Sequence, residues 1–368
     1  DLEHFYGHRH FKVEDALDGS PVPFQISRYS RGPEMCIWAK LGPGEKKMYR
    51  LAEQPEPALP SAGRKASTGI EGVDDLDWRL QERLAQGGCA SFDWLENKFF
   101  RITFTPEAGV TSLWDKVHGR ELIAEGRPYG AFTPVYEVTE RRVGEDYLAV
   151  RRNMGRNRKA ARTRRSAGSL VDVQVLESGA LYTRVELSYR MEGVKECAVI
   201  LTAYHLSPRL EIYFRIHKES VWEPENLYLS LPFGGQVWLD KAGAQMRPRL
   251  DQLPGTCVDF YAVQNGLVFR QGEADVILAM PDTPLVWMGT LRAHSIRLMG
   301  EGAPNEDQVY SWVMNNFWET NFKASLGGFY QFRYQLEVSE AGDIQAAFRK
   351  AEALAEDMVT FYHFEDRE

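Results

Sequence analysis

Hydrophobic and polar positions alternate with a period of two over long stretches of this chain. Phe100, Ile102 and Phe104 alternate with Arg101, Thr103 and Thr105, and Pro106-Glu107-Ala108-Gly109 makes a turn before Val110. Leu181, Thr183, Val185, Leu187 and Tyr189 alternate with Tyr182, Arg184, Glu186, Ser188 and Arg190. Leu210, Ile212, Phe214 and Ile216 do the same, as do Tyr330, Phe332, Tyr334, Leu336 and Val338. Successive side chains of a strand point to opposite faces, so each run predicts a strand with one face on a core and one toward solvent. No strand–helix–strand rhythm appears, which argues against a parallel sheet. A single clear helix is predicted late in the chain. Asp343 caps it, and Ile344, Ala347, Phe348, Ala351, Leu354, Ala355 and Met358 share one face.

Turn residues divide the chain before these strands. Asp18-Gly19-Ser20-Pro21, Arg31-Gly32-Pro33 and Gly42-Pro43-Gly44 break residues 1–50 into short extended pieces, a small β segment. Residues 51–90 carry Pro55, Pro57 and Pro60 and read as a linker or surface loop, with a short helix over 75–86 suggested by Leu76, Leu80 and Leu84. Residues 91–368 are then one large β-sandwich. There is no internal repeat.

Composition narrows the function classes. Of 368 residues, 43% are hydrophobic and 26% charged, the profile of an ordinary globular chain with enough length to bury a core unaided. The net charge of -8 argues against a nucleic-acid partner. No run approaches the roughly 18 apolar residues of a membrane span, and no basic-then-apolar leader opens the chain. Cys36, Cys89, Cys197 and Cys257 are scattered without metal-ligand spacing, which suggests reduced thiols and a cytoplasmic location. The first residue is Asp, and the chain is expected to be part of something longer.

Several blocks, in a consistent order, resemble a known family. Leu95-Glu96-Asn97-Lys98-Phe99-Phe100-Arg101, then Gly109, Leu113-Trp114-Asp115-Lys116 and Gly119-Arg120-Glu121-Leu122, resemble the opening of the large β domain of family 38 glycosidases. Ser178-Gly179-Ala180-Leu181 and Leu253-Pro254-Gly255-Thr256-Cys257-Val258-Asp259-Phe260-Tyr261-Ala262-Val263-Gln264 resemble later blocks. The stretch from Tyr310 to Phe322, followed by Gly327, Gly328, Arg333 and Tyr334, is the most specific. The similarity covers about residues 91–340, and residues 1–50, with Gln25 and Trp38-Ala39, resemble the segment that joins the catalytic part to this domain.

The resemblance implies a mainly β, antiparallel, galactose-mutarotase-like supersandwich preceded by the small β segment. It also implies a parent α-mannosidase-like glycoside hydrolase that works with retention, through a carboxylate nucleophile and a carboxyl acid/base. The family's nucleophile and zinc ligands lie in an N-terminal catalytic domain, and no counterparts match here. Zinc is therefore expected in that absent domain and no cofactor in this chain. The expected partners are the catalytic domain and carbohydrate, with no nucleic acid and no membrane. The alternatives are a free-standing carbohydrate-binding module or a mutarotase- or epimerase-like sugar protein.

Candidate residues follow from side-chain chemistry. Asn315, Asn316, Trp318, Thr320 and Asn321 combine amide donors and acceptors with an apolar plate, as a sugar requires; the amides equally suit backbone groups at a turn. Asp259, after a Pro-Gly turn, either reaches a cleft or caps nearby backbone N–H groups. Eight basic residues crowd Arg151–Arg165, and Arg156, Arg158 and Arg162 are candidates for docking the catalytic domain; the other reading is a solvated loop. His4, His8 and His10 cannot all share one face of a regular element, so no metal site is assigned to them.

Overall fold

The computed structural model describes residues 11–29, 32–53, 88–90, 93–141, 143–146, 162–292, 296–300, 307–316, 325–356 and 358–361. Four short strands come first: β1 (Phe11–Asp15), β2 (Phe24–Tyr29), β3 (Gly32–Ile37) and β4 (Tyr49–Glu53), pairing β1 with β4 and β2 with β3. Next is a five-stranded meander of β5 (Gly88–Ala90), β6 (Trp94–Asn97), β7 (Phe100–Thr105), β8 (Gly109–Asp115) and β9 (Arg120–Glu121). The central strands are β10 (Pro134–Thr139), β11 (Thr163–Ala167), β12 (Ser169–Ser178), β13 (Tyr182–Arg190), β14 (Val194–Tyr204), β15 (Arg209–Lys218), β16 (Glu225–Ser230), β17 (Gln236–Lys241) and β18 (Ala244–Met246). The rest are β19 (Phe260–Ala262), β20 (Gly266–Gln271), β21 (Ala274–Ala279), β22 (Leu285–Met288), β23 (Val309–Asn315) and β24 (Gly328–Glu340), before helix α1 (Ile344–Ala355).

Two large sheets form from these strands. One has six strands in the order β11-β10-β16-β23-β22-β19, the other nine in the order β12-β13-β14-β15-β24-β21-β20-β17-β18. The architecture is the mainly antiparallel β supersandwich expected, with one late helix among the described residues. A single apolar core draws on all three larger sheets, with Ile102, Phe104 and Leu113 from the meander, Leu227 and Leu229 from the six-stranded sheet, and Leu187, Phe214, Phe269 and Leu336 from the nine-stranded one. Alternation decides which face goes in: Leu210, Ile212, Phe214 and Ile216 on β15 are all buried, while Arg215 between them is exposed.

Helix α1 lies on the opposite face of the nine-stranded sheet. Ala347, Phe348, Ala351 and Leu354 pack on Val268, Ile277 and Ala279, and Asp343 accepts a hydrogen bond from the Gln345 N–H at 3.1 Å. The helix stops at Ala355, because Glu356 turns to an extended conformation (φ -82, ψ 148). Met358, expected on its buried face, lies beyond the end and is exposed.

A side chain on β2 fastens the first strands to the sandwich. Gln25 on β2 accepts hydrogen bonds from the Leu181 and Tyr182 N–H groups, at 3.0 and 3.2 Å, at the entry to β13. Gly179 makes room for it, since a Cβ there would stand 2.5 Å from the Gln25 amide carbon. The helix expected over 75–86 falls outside the described residues.

Candidate functional site

The polar groups singled out in the sequence converge partly, at one end of the six-stranded sheet where β10, β16 and β23 lie side by side. Asn316, directly after β23, is buried, and both polar atoms of its amide go to backbone. Its Oδ1 accepts from the Glu225 N–H at 2.7 Å, and its Nδ2 donates to Val221 O (3.1 Å) and Glu223 O (3.0 Å). It thereby ties the end of β23 to the loop that enters β16. Asn315 pairs in register with Asn226 across β16 and is half-buried. Trp318, Thr320 and Asn321 fall outside the described residues.

Glu225 belongs to a second buried cluster at the same end. Its Oε2 lies 2.7 Å from Lys218 Nζ and accepts from the Tyr136 hydroxyl at 2.6 Å. Lys218 Nζ also donates to Gly193 O (2.9 Å) and Glu219 O (3.0 Å), and stands 5.2 Å above the Tyr136 ring. Both charged side chains are 0% exposed. Burial, the largest influence, pushes the Glu225 carboxyl above its usual range, against the stabilising contacts from Lys218 and Tyr136. Burial and the Glu225 charge together push the Tyr136 hydroxyl far up. Gly193, at φ +77, admits the Tyr136 ring, since a Cβ there would stand 2.6 Å from the ring carbon bearing the hydroxyl.

A row of polar groups also crosses the sheet's other face. Arg165 on β11 pairs with Glu137 on β10, whose Oε1 accepts from Asn226 Nδ2 at 3.0 Å; Asn226 Oδ1 in turn accepts from Trp312 Nε1 at 3.0 Å. Trp312 is buried, stacked on Tyr228 at 6.0 Å and packed edge-on against Phe260 and Trp287. Its indole is part of a packed aromatic layer rather than an open plate.

Asp259 is separate from this cluster and fully buried just before β19. It accepts from the Arg297 N–H at 2.7 Å and pairs with the Arg297 guanidinium, closing the loop over 249–259 against the 296–300 stretch. Arg162 is exposed beside β11, while Arg156 and Arg158 fall outside the described residues, as do His4, His8 and His10. Of the described histidines, His205 is buried, its Nε2 lies 3.1 Å from Thr183 Oγ1, and burial lowers its pKa. Among the described residues no group of three or more His, Cys, Asp or Glu side chains comes together to hold a metal ion, so they offer no site for the zinc that the resemblance implies.

Sequence reasoning missed the Lys218–Glu225–Tyr136 cluster. A signal was present, because Lys218 continues the inward parity of Leu210, Ile212, Phe214 and Ile216. A lysine at a core-facing position demands a buried partner.

The fold and these clusters define a β supersandwich whose described polar groups serve largely to lock strands and loops together. Residues 95–235 match the family model described as the glycosyl hydrolases family 38 C-terminal domain. Over those residues the chain is similar to the C-terminal domain of glycosyl hydrolase family 38. No curated protein matches it. Two solved structures from Enterococcus faecalis share its fold. One is a protein in glycosyl hydrolase family 38, with 9% identity and a TM-score of 0.52 over 94% of this chain and 41% of that one. The other is an alpha-mannosidase of strain V583, with 11% identity and a TM-score of 0.52 over 96% of this chain and 41% of that one. This chain thus spans about 41% of the length of each, and at such identities the likeness is one of fold.

Proposed function

We propose that this chain is the non-catalytic β-sandwich part of a longer α-mannosidase-like glycoside hydrolase, in which a separate catalytic domain holds the zinc and performs the hydrolysis. The observation that carries this reading is the family 38 C-terminal match over residues 95–235. The use of the buried carboxylates supports it. Glu225, Glu137 and Asp259 are each engaged by a cation and further donors, an arrangement that suits rigidity better than proton transfer to a substrate.

On this reading the sandwich supports one wall of the active site and touches carbohydrate there. Asn316 holds the end of β23, and the residues after it, including Trp318, Thr320 and Asn321, border the catalytic cleft. Arg156, Arg158 and Arg162 of the basic run Arg151–Arg165 dock the catalytic domain. Cys36, Cys197 and Cys257 are free thiols, in keeping with a reducing compartment such as the cytoplasm. No helix among the described residues is long and apolar enough to cross a membrane.

Charge reversal tests the docking role. Arg156→Glu, Arg158→Glu and Arg162→Glu together are expected to leave the melting of this chain unchanged and to lower the melting temperature and activity of the full-length protein. A full-length protein unaffected in both would remove the docking role.

A further inference from the structure

The outward face of the nine-stranded sheet carries a depression of about 540 Å³, inside the roughly 300–1,000 Å³ range of small-ligand sites. Helix α1 packs on β20 and β21, and none of its residues lines the depression. Two cross-strand rows build the depression. Ser188, Ala198, Arg215 and Gln331 form one, and Glu196, His217 and Phe329 form the next, on β13, β14, β15 and β24. Ser188 and Ala198 are short, so the floor is low where its neighbours stand tall.

The side chains around that floor are equipped differently from the rest of the molecule. Phe329 is 75% exposed, and its ring stacks on the His217 imidazole at 3.8 Å between centroids and 25° between planes. The stack leaves the outer face of the Phe329 ring as a flat, open plate. Glu196, Gln331 and the nitrogens of His217 make no hydrogen bond or ion pair among the described residues, whereas Glu225, Asp259 and Asn316 are held by internal partners. Arg215 reaches across to Glu186 at 2.7 Å, which fixes its guanidinium at the rim.

This equipment selects a ligand class. A sugar ring offers one face of C–H groups to an aromatic plate and a circle of hydroxyls that both donate and accept. The rim holds one arginine and two glutamates, which disfavours an anionic ligand. We propose that this depression binds a neutral mono- or disaccharide, with the open face of Phe329 against the sugar ring, His217 backing that ring from behind, and Glu196 and Gln331 on its hydroxyls. The proposal rests on the carbohydrate reading above and gives it a location on this chain.

The test is calorimetry and saturation-transfer NMR on the 368-residue chain with methyl α-mannoside, methyl β-glucoside, α-mannobiose and glucuronate. Saturable binding of at least one neutral sugar is expected, weaker by up to about tenfold in Phe329→Ala, weaker in Glu196→Gln, and unchanged in Phe361→Ala. Phe361 is as exposed as Phe329 but lies outside the depression, so it controls for loss of surface hydrophobicity. No saturable binding of any neutral sugar, binding of glucuronate alone, or equal binding by Phe329→Ala would overturn the proposal. Hydrolysis of an aryl α-mannoside by the full-length protein, assayed in parallel, reports on the parent reading alone.

Discussion

Replacing Lys218 with methionine keeps the length of the stem and removes the ammonium from a site that is 0% exposed. Glu225 then retains the Tyr136 hydroxyl at 2.6 Å and loses the cation at 2.7 Å, while Gly193 O and Glu219 O each lose a donor. Breaking a buried pair by removing one partner costs about 3–5 kcal/mol. Protonation of the orphaned carboxyl limits the ionic part. From the ordinary value of 4.5 to pH 7, taking up the proton costs at most about 3.4 kcal/mol, at 1.36 kcal/mol per unit. The two carbonyls add about 1 kcal/mol, so Lys218→Met should lose about 3–5 kcal/mol at neutral pH.

The same variant has a pH signature. Burial raises the Glu225 pKa in the folded protein, so the folded state holds that proton more tightly than the unfolded chain does. Its contribution is fully present below about 4.5 and is lost as pH rises through the raised folded value. Without Lys218 that value climbs further, so the deficit of the variant should shrink on acidification from pH 7 toward pH 5. Urea unfolding followed by tryptophan fluorescence at several pH values measures this. A loss under about 1 kcal/mol, or one independent of pH, would refute the buried-pair reasoning.

Three further substitutions probe the other locks. Asn316→Ala leaves the Glu225 N–H and two carbonyls without their partner and should lower stability by about 2–3 kcal/mol in urea unfolding, with little change in the sheet signal of circular dichroism. Gly179→Ala pushes the Gln25 amide off β13 and should speed hydrogen exchange at Leu181 and Tyr182; in a Gln25→Ala background the added effect should largely vanish. Asp259→Asn weakens the hold on Arg297 and should cost about 2–3 kcal/mol in thermal or urea unfolding.

The fold was legible where strands have one wet face. On β13, β15 and β24 the period of two named the buried side chains Val185, Leu187, Ile212, Phe214, Tyr334 and Leu336 before any coordinates. It was silent where strands are buried on both faces. Pro134–Thr139, Glu225–Ser230 and Ala274–Ala279 are buried throughout, and β10 and β16 carry Glu137, Glu225 and Asn226 inside. A glutamate in a short run reads as a solvated residue unless its partner is known; Arg165 and Trp312 lie far from Glu137 and Asn226 in sequence, and Lys218, though near Glu225, sits on a different strand. The helix was found from its stripe and its Asp343 cap, but its end depends on a backbone turn at Glu356 that no Gly or Pro announces. Asn316 and Asp259 were found by type, while only the coordinates give their partners, because a turn amide and a ligand-binding amide are the same residue in sequence. The sugar-sized depression was invisible for a related reason. Glu196, His217 and Phe329 come from three strands, and only the register puts them in one row.

Hydrolysis of an aryl α-mannoside by this chain, beside the full-length protein and with and without added zinc, tests the central claim most directly. Zinc-dependent turnover by the full-length protein and none by the chain alone is the expected result. Zinc-dependent turnover by the chain alone would contradict it.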